Sequence, residues 1–152
     1  MPPPLSLRNF NVNAARSLSY RPTAVFVGGT SGIGEGMARA FGRHTGGDSR
    51  IVLVGRNTQA AEEVIGCLPR ADSLNGPRHK FVASDLTLMS NVRKMTAKLH
   101  EKLPKVNFLV LSPGIMSLQG RTETEEGIDR KLALHYYARW RIIHECVRIV
   151  CG

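Results

Sequence analysis

At 152 residues, with 42% hydrophobic and 22% charged side chains, the chain has the size and composition of one ordinary globular domain with a single core. No apolar run approaches the roughly 20 residues that a bilayer-spanning helix needs, so no membrane role is expected. The formal charge of +9 raises the question of an anionic partner, but the basic residues are spread from Arg8 to Arg148 without a nucleic-acid motif, so nucleic acid is not expected as a partner.

Pro2 to Pro4 open the chain, and Arg21-Pro22 closes an N-terminal arm (residues 1–22), because a residue before proline is driven out of the helical region. The arm carries Arg8, Arg16 and Arg21 with Ser6, Ser17 and Ser19, and no carboxylate precedes Glu35. That composition resembles a mitochondrial transit peptide; a short surface helix or arm is the plainer alternative. Cys67, Cys146 and Cys151 show neither C-x-x-C spacing nor a companion histidine cluster, so no metal site and no disulfide framework are indicated. Free thiols suit a reducing, cytoplasmic setting, with the mitochondrion as the alternative that the arm suggests.

The folded part is expected over 23–152. A short apolar run, Ala24 to Val27, leads through glycines into a helix with Ile33, Met37, Ala40 and Phe41 on one face. Ile51 to Val54 leads into a helix from Thr58 to about Cys67, with Ala61, Val64, Ile65 and Leu68 at helical spacing. Arg70 to Arg78 reads as a surface loop. A third strand, Lys80 to Ala83, precedes a helix carrying Leu88, Val92, Met95, Leu99 and Leu103, and the fourth runs from Val106 to Leu111 before Ser112-Pro113-Gly114 breaks it. Thr122 with Glu125 suggests a capping box for a last helix whose stripe Ile128, Leu132, Tyr136, Trp140, Ile143, Val147 and Val150 predicts the face against the core. Apolar strands alternating with amphipathic helices predict an α/β, doubly wound, Rossmann-like parallel sheet, and right-handed crossovers favour strand order 3-2-1-4.

After the first strand comes Val27-Gly28-Gly29-Thr30-Ser31-Gly32-Ile33-Gly34, with glycines at 28, 32 and 34. Glycine in such a place permits a tight turn, lets the backbone touch a pyrophosphate and packs helix closely on strand, while the helix start offers its unpaired N–H groups to the phosphates. A P-loop is the competing cradle, but Glu35 stands where that motif requires lysine. The second strand ends in Val54-Gly55-Arg56-Asn57. A carboxylate there would suit the ribose hydroxyls of NAD; Arg56 suits the 2′-phosphate of NADP, unless it is merely exposed with Asn57 capping the next helix.

These residues, from about Ala24 to Ile143, resemble the short-chain dehydrogenase/reductase family. Gly28 to Gly34 resembles its nucleotide fingerprint, with Val27 where threonine is common. Ser84-Asp85-Leu86 is similar to the segment whose aspartate meets the adenine. Leu111-Ser112-Pro113-Gly114 stands where Asn-Asn-Ala-Gly is usual, and Gly120 to Asp129 looks like members from filamentous fungi and mushrooms. The resemblance implies cofactor contacts at Gly28, Thr30, Ser31, Gly32, Ile33, Gly34, Arg56, Asn57, Asp85, Leu86, Ser112 and Gly114, with NADP preferred to NAD.

His135 falls where the family places a catalytic asparagine, and the family's serine and Tyr-x-x-x-Lys pair have no counterpart here. Tyr137 and Arg141 share only the spacing. No catalytic residue is assigned. The expectation is the cofactor-binding half of an oxidoreductase acting on a carbonyl or alcohol, truncated after the fourth strand and its helix and inactive alone; the alternative is a non-catalytic NADP(H)-binding or regulatory module. A fully apolar fourth strand left at the sheet edge predicts association, for instance as a homo-oligomer.

Overall fold

The computed structural model describes residues 19–70 and 79–150, so most of the N-terminal arm, most of the expected loop at 70–78, and Cys151 lie outside the described residues. Strands β1 (Thr23–Val27), β2 (Arg50–Gly55), β3 (Lys80–Ala83) and β4 (Phe108–Leu111) form one parallel sheet in the order β3-β2-β1-β4. Helices α1 (Gly32–His44), α2 (Thr58–Gly66) and α3 (Met89–Lys102) make the connections. The last helix, α4, is continuous through Arg130–Leu132, a π-helical stretch Ala133–Tyr137, and Ala138–Val150.

The two central strands are β-branched or apolar at nearly every position because both of their faces are covered. Side chains alternate across the sheet, so Ala24, Phe26, Ile51 and Leu53 pack with Ala38 of α1 and Ala61 and Val64 of α2. Val25, Val27, Val52 and Val54 point the other way and pack with Val92, Met95 and Leu99 of α3 and Ala138, Ile142 and Cys146 of α4. Burying each of the valine, leucine and isoleucine side chains among them is worth about 1.5–3 kcal/mol before entropy is set against it. The base of the sheet is closed by Asn107, whose side-chain oxygen accepts from Thr23 N (2.9 Å) while its own N–H donates to Thr23 O (2.8 Å).

Three expectations need correction. In α1 the face toward the sheet is Gly34, Ala38 and Gly42, whereas Ile33 is 79% exposed and Met37 also faces solvent. The helix lies so close to its neighbours that a Cβ on Gly42 would stand 3.0 Å from the Leu68 side chain, so small residues rather than large ones mark the inward face.

The start of α4 is capped by Asp129, whose Oδ1 accepts from Lys131 N (3.0 Å) and Leu132 N (3.1 Å); Thr122 and Glu125 lie in the preceding loop. The helix buries Ala133, Leu134, Ala138, Ile142, Cys146 and Ile149, and leaves Leu132, Tyr136, Trp140, Ile143 and Val147 of the expected stripe exposed. Two apolar faces coexist on this helix, and the slimmer one fits against the sheet.

The fourth strand begins at Phe108 rather than Val106, whose N–H instead donates to Ile149 O of α4 (2.7 Å), and it is only partly covered, Phe108 being 41% exposed. Phe108 still packs edge-on against Phe41 (5.2 Å between centroids), which meets Phe26 in the same manner (5.9 Å).

Ile142→Ala is therefore expected to cost about 2–5 kcal/mol in urea unfolding, the range for deleting a buried aliphatic side chain, whereas Ile143→Ala should change stability by less than about 0.5 kcal/mol. Equal losses at the two positions would contradict the assignment of the inward face.

Candidate functional site

Where β1 ends, Gly28 takes φ +83° and its N–H donates to Val54 O (2.8 Å). A Cβ on Gly28 would lie 2.8 Å from Pro113 N and 2.9 Å from the Ser112 carbonyl carbon, and one on Gly34 would collide with Gly28 O and Ser112 Oγ. Glycine is thus required at both positions because the turn after β1 and the exit of β4 touch backbone to backbone. Ser112 fastens them: its N–H (2.9 Å) and its hydroxyl (3.1 Å) both donate to Val27 O.

On the open side of the turn, Gly32 has φ +57° and nothing within 4 Å of where its Cβ would be. Ser31 precedes α1 in extended conformation without a side-chain cap, so the first amides of the helix have no side-chain acceptor. The one carboxylate of that first turn, Glu35, is held by Arg39 at 2.8 Å.

The ends of β2 and β3 supply the second wall. Thr30 sits over Gly55, where a Cβ would lie 2.9 Å from the Thr30 hydroxyl, and Ser84 N donates to Gly55 O (2.8 Å). Arg56 is exposed at the strand end. Asn57 caps α2, its Oδ1 accepting from Ala60 N (3.1 Å). Asp85 Oδ1 accepts from Thr87 N (3.0 Å) and from the Thr87 hydroxyl (2.8 Å). Partial burial pushes the Asp85 carboxyl up, but those two hydrogen bonds and the charges of Arg56 and Arg130 outweigh it and hold the group below its ordinary value, as a carboxylate.

The third wall is the chain leaving β4. Gly114 faces the His135 ring, which a Cβ would approach to 3.0 Å, and His135 Nε2 lies 3.0 Å from Ile115 O and 3.2 Å from Ile115 N. His135 belongs to the π-helical turn of α4, an irregularity that re-aims side chains and that recurs at functional sites. Arg139 donates to Pro113 O (2.9 Å).

Together these walls enclose an open groove at the C-terminal ends of the strands, where the sheet order reverses between β1 and β4 and where open α/β sheets take their ligands. Of the residues singled out from the sequence, Gly28, Thr30, Ser31, Arg56, Asp85, Leu86, Ser112 and Gly114 line it. Gly32, Ile33, Gly34 and Asn57 do not: Gly34 is packed beneath the turn, Gly32 and Ile33 start α1, and Asn57 is occupied by its cap.

The groove is also lined by Gly55, Ser84, Thr87, Pro113 and Leu134, which the sequence reading did not assign. Ser84 and Thr87 flank Asp85 and were within reach of a local reading, whereas Leu134 arrives from α4 by tertiary packing alone. Among the described residues no group of three or more His, Cys, Asp or Glu side chains could hold a metal ion, and no helix is long and apolar enough to cross a membrane.

The loop between β4 and α4 is tied down from outside. Leu88 at the start of α3 provides no side-chain cap; Glu126 does so from the loop, its carboxylate accepting from Met89 N (2.6 Å) and Ser90 N (2.9 Å). The loop closes on itself through Thr124 N to Ile128 O (2.9 Å) and Thr122 N to Asp129 Oδ2 (3.2 Å).

A strand-turn-helix with bare backbone at its turn, set in a sheet of this order, defines the class of nucleotide-binding α/β proteins. Residues 22–147 match the family model described as short chain dehydrogenase, and the chain belongs to the short-chain dehydrogenase/reductase family of oxidoreductases. It is 36% identical over 128 residues to Oxidoreductase AN1596 of Emericella nidulans, covering 84% of this chain and 38% of that relative. Among solved structures it is similar to 3-ketoacyl-(acyl-carrier-protein) reductase from Brucella melitensis complexed with NADH (25% identity, TM-score 0.63, 84% of this chain and 49% of that one). It is also similar to L-sorbose reductase from Gluconobacter frateurii complexed with NADPH and L-sorbose (25% identity, TM-score 0.65, 84% and 47%).

The hydrogen bonds from Ser90 N and Met89 N hold the Glu126 carboxyl below its ordinary value. A carboxyl lowered by folding stabilises fully above its unfolded value of about 4.3 and loses that contribution as pH falls through the lower folded value. Glu126→Ala should cost about 1 kcal/mol at pH 7, as for other helix caps. Denaturant titrations of the variant and the parent should converge in acid below the folded value; a difference that persists there would exclude the ionised cap as its cause.

Proposed function

We propose that this chain is the cofactor-binding half of an NADP-dependent oxidoreductase that exchanges hydride with a carbonyl or alcohol substrate, and that by itself it binds NADP(H) without turnover. The observation that carries the proposal is the pair of backbone contacts at Gly28 and Gly34, which keep side chains out of the turn below a groove ending at Arg56. That cradle fits a dinucleotide: the amides at the start of α1, from Gly32 to Gly34, would meet the pyrophosphate, with Gly28, Thr30 and Ser31 as the floor. Asp85 and Leu86 would hold the adenine. Ser112 and Gly114 would close the far wall, and Asn57, by capping α2, would set the direction in which the chain carries Arg56.

When bound, NADP(H) supplies or accepts the hydride. The relatives complexed with NADH and NADPH show that similar folds serve both coenzymes, so the preference for NADP rests on Arg56. The 152 residues contain no Tyr-x-x-x-Lys sequence, and Tyr137 with Arg141 is a poor substitute because Arg141 is paired with Glu145 at 2.8 Å. A binding or regulatory module is favoured by a second detail: the His135 ring, at the position of the family's asparagine, is committed to the main chain of Ile115. Self-association is part of the proposal, because β4 is a sheet edge and the outer face of α4 carries Leu132, Tyr136, Trp140, Ile143 and Val147.

Saturating NADP at a hundred times its dissociation constant should stabilise the chain by about 2.7 kcal/mol, read as a rise in melting temperature. Gly32→Val should abolish the rise, and Arg56→Asp should shift it toward NAD; if neither variant changes the response, the assignment of the groove fails. NADPH mixed with the chain and a panel of ketones and aldehydes should stay reduced, and steady oxidation would overturn the claim of binding without turnover. Sedimentation velocity should show mass rising with concentration, and a monomer at all concentrations would remove self-association.

A further inference from the structure

We infer that Arg130, at the start of α4, is a second determinant of coenzyme choice, closing with Arg56 on the 2′-phosphate of NADP at the adenine end of the groove. The inference rests on the NADP proposal above and extends it to a residue on a different structural element, outside the glycine turn and the end of β2.

A cavity of about 240 Å³ adjoins the groove and shares Arg56 with it, while Arg130 and Lys131 form part of its wall. The fold therefore brings the end of β2 and the start of α4 to one hollow. Arg21, Arg39, Arg121 and Arg141 each hold a carboxylate at 2.8 Å. Among the described residues neither Arg56 nor Arg130 closes such a pair.

The acids nearby already accept hydrogen bonds from other groups. Asp129, in the wall of the same cavity, accepts at Oδ1 from the amides of Lys131 and Leu132 and at Oδ2 from that of Thr122. Asp85 feels the charge of both arginines, but its Oδ1 is held by the Thr87 amide and hydroxyl. Lys131 Nζ spends one of its three hydrogens on Gln119 O (2.8 Å), whereas neither guanidinium group is held by such a bond among the described residues.

Two like charges beside one hollow, offset only in part by the Asp85 carboxylate, favour a further anion between them. A phosphate monoester is suited to that place, with up to two negative charges and several acceptor oxygens to meet two planar donor forks. The 2′-hydroxyl of NAD brings no charge, so the same pair adds little to its binding.

Calorimetric titration of the whole chain with NADP⁺ and with NAD⁺ tests this. Arg130→Gln should weaken NADP⁺ about tenfold or more, the loss expected for a charge-assisted contact, and leave NAD⁺ within about twofold. Arg130→Lys should recover part of the loss. Circular dichroism should report α4 intact in both variants, because its cap is the Asp129 carboxylate rather than Arg130.

Parallel losses for the two coenzymes, or an undiminished preference for NADP⁺ in Arg130→Gln, would overturn the role of Arg130. If Arg56→Gln lowers that preference where Arg130→Gln does not, the NADP proposal stands without this residue. A parent chain that binds the two coenzymes equally, or neither, overturns both.

Discussion

The groove exists because two stretches of main chain meet with no side chain between them. Gly28 turns at positive φ directly under Pro113, Gly34 packs on Gly28 O and Ser112 Oγ, and Ser112 ties the two strand ends together through Val27 O. A methyl group at either glycine would prise the exit of β4 from the turn after β1, and the walls that depend on that spacing would move with it. The parallel sheet is the precondition: it brings the C-terminal ends of β1 and β4 side by side, although a long stretch of sequence separates them.

Electrostatics around this contact favour an anionic guest. The positive charge of the chain is distributed broadly, but near the groove its local balance is specific. Glu35 is neutralised by Arg39, Asp85 accepts from Thr87, and among the described residues Arg56 and Arg130 close no ion pair and act on Asp85 only through their charge. Donors without acceptors at the start of α1 add to the same bias.

The strands, their order and the glycine turn were legible in the amino-acid sequence because each is written locally: a run such as Ile51 to Val54 is apolar at every position, and positive φ at Gly28 and Gly32 calls for the residue found there. The inward faces of α1 and α4 were not. Periodicity identifies an apolar stripe but not which of two stripes meets the sheet, and in α4 the narrower series Ala133, Ala138, Ile142 and Cys146 won over the bulkier series Tyr136, Trp140 and Ile143. The cap of α4 was missed for a related reason, since Asp129 and Thr122 both fit the chemistry of a helix start and only the path of the loop selects between them. Leu134 and Gly55 reach the groove wall through packing across elements, which no local pattern encodes.

Glu126 gives the region a mechanical linkage. Its carboxylate fastens the loop between β4 and α4 to the first amides of α3, a helix on the face of the sheet. The amides of Met89 and Ser90 exchange their protons only when that clasp opens, so their exchange reports on the loop as well as on the helix end.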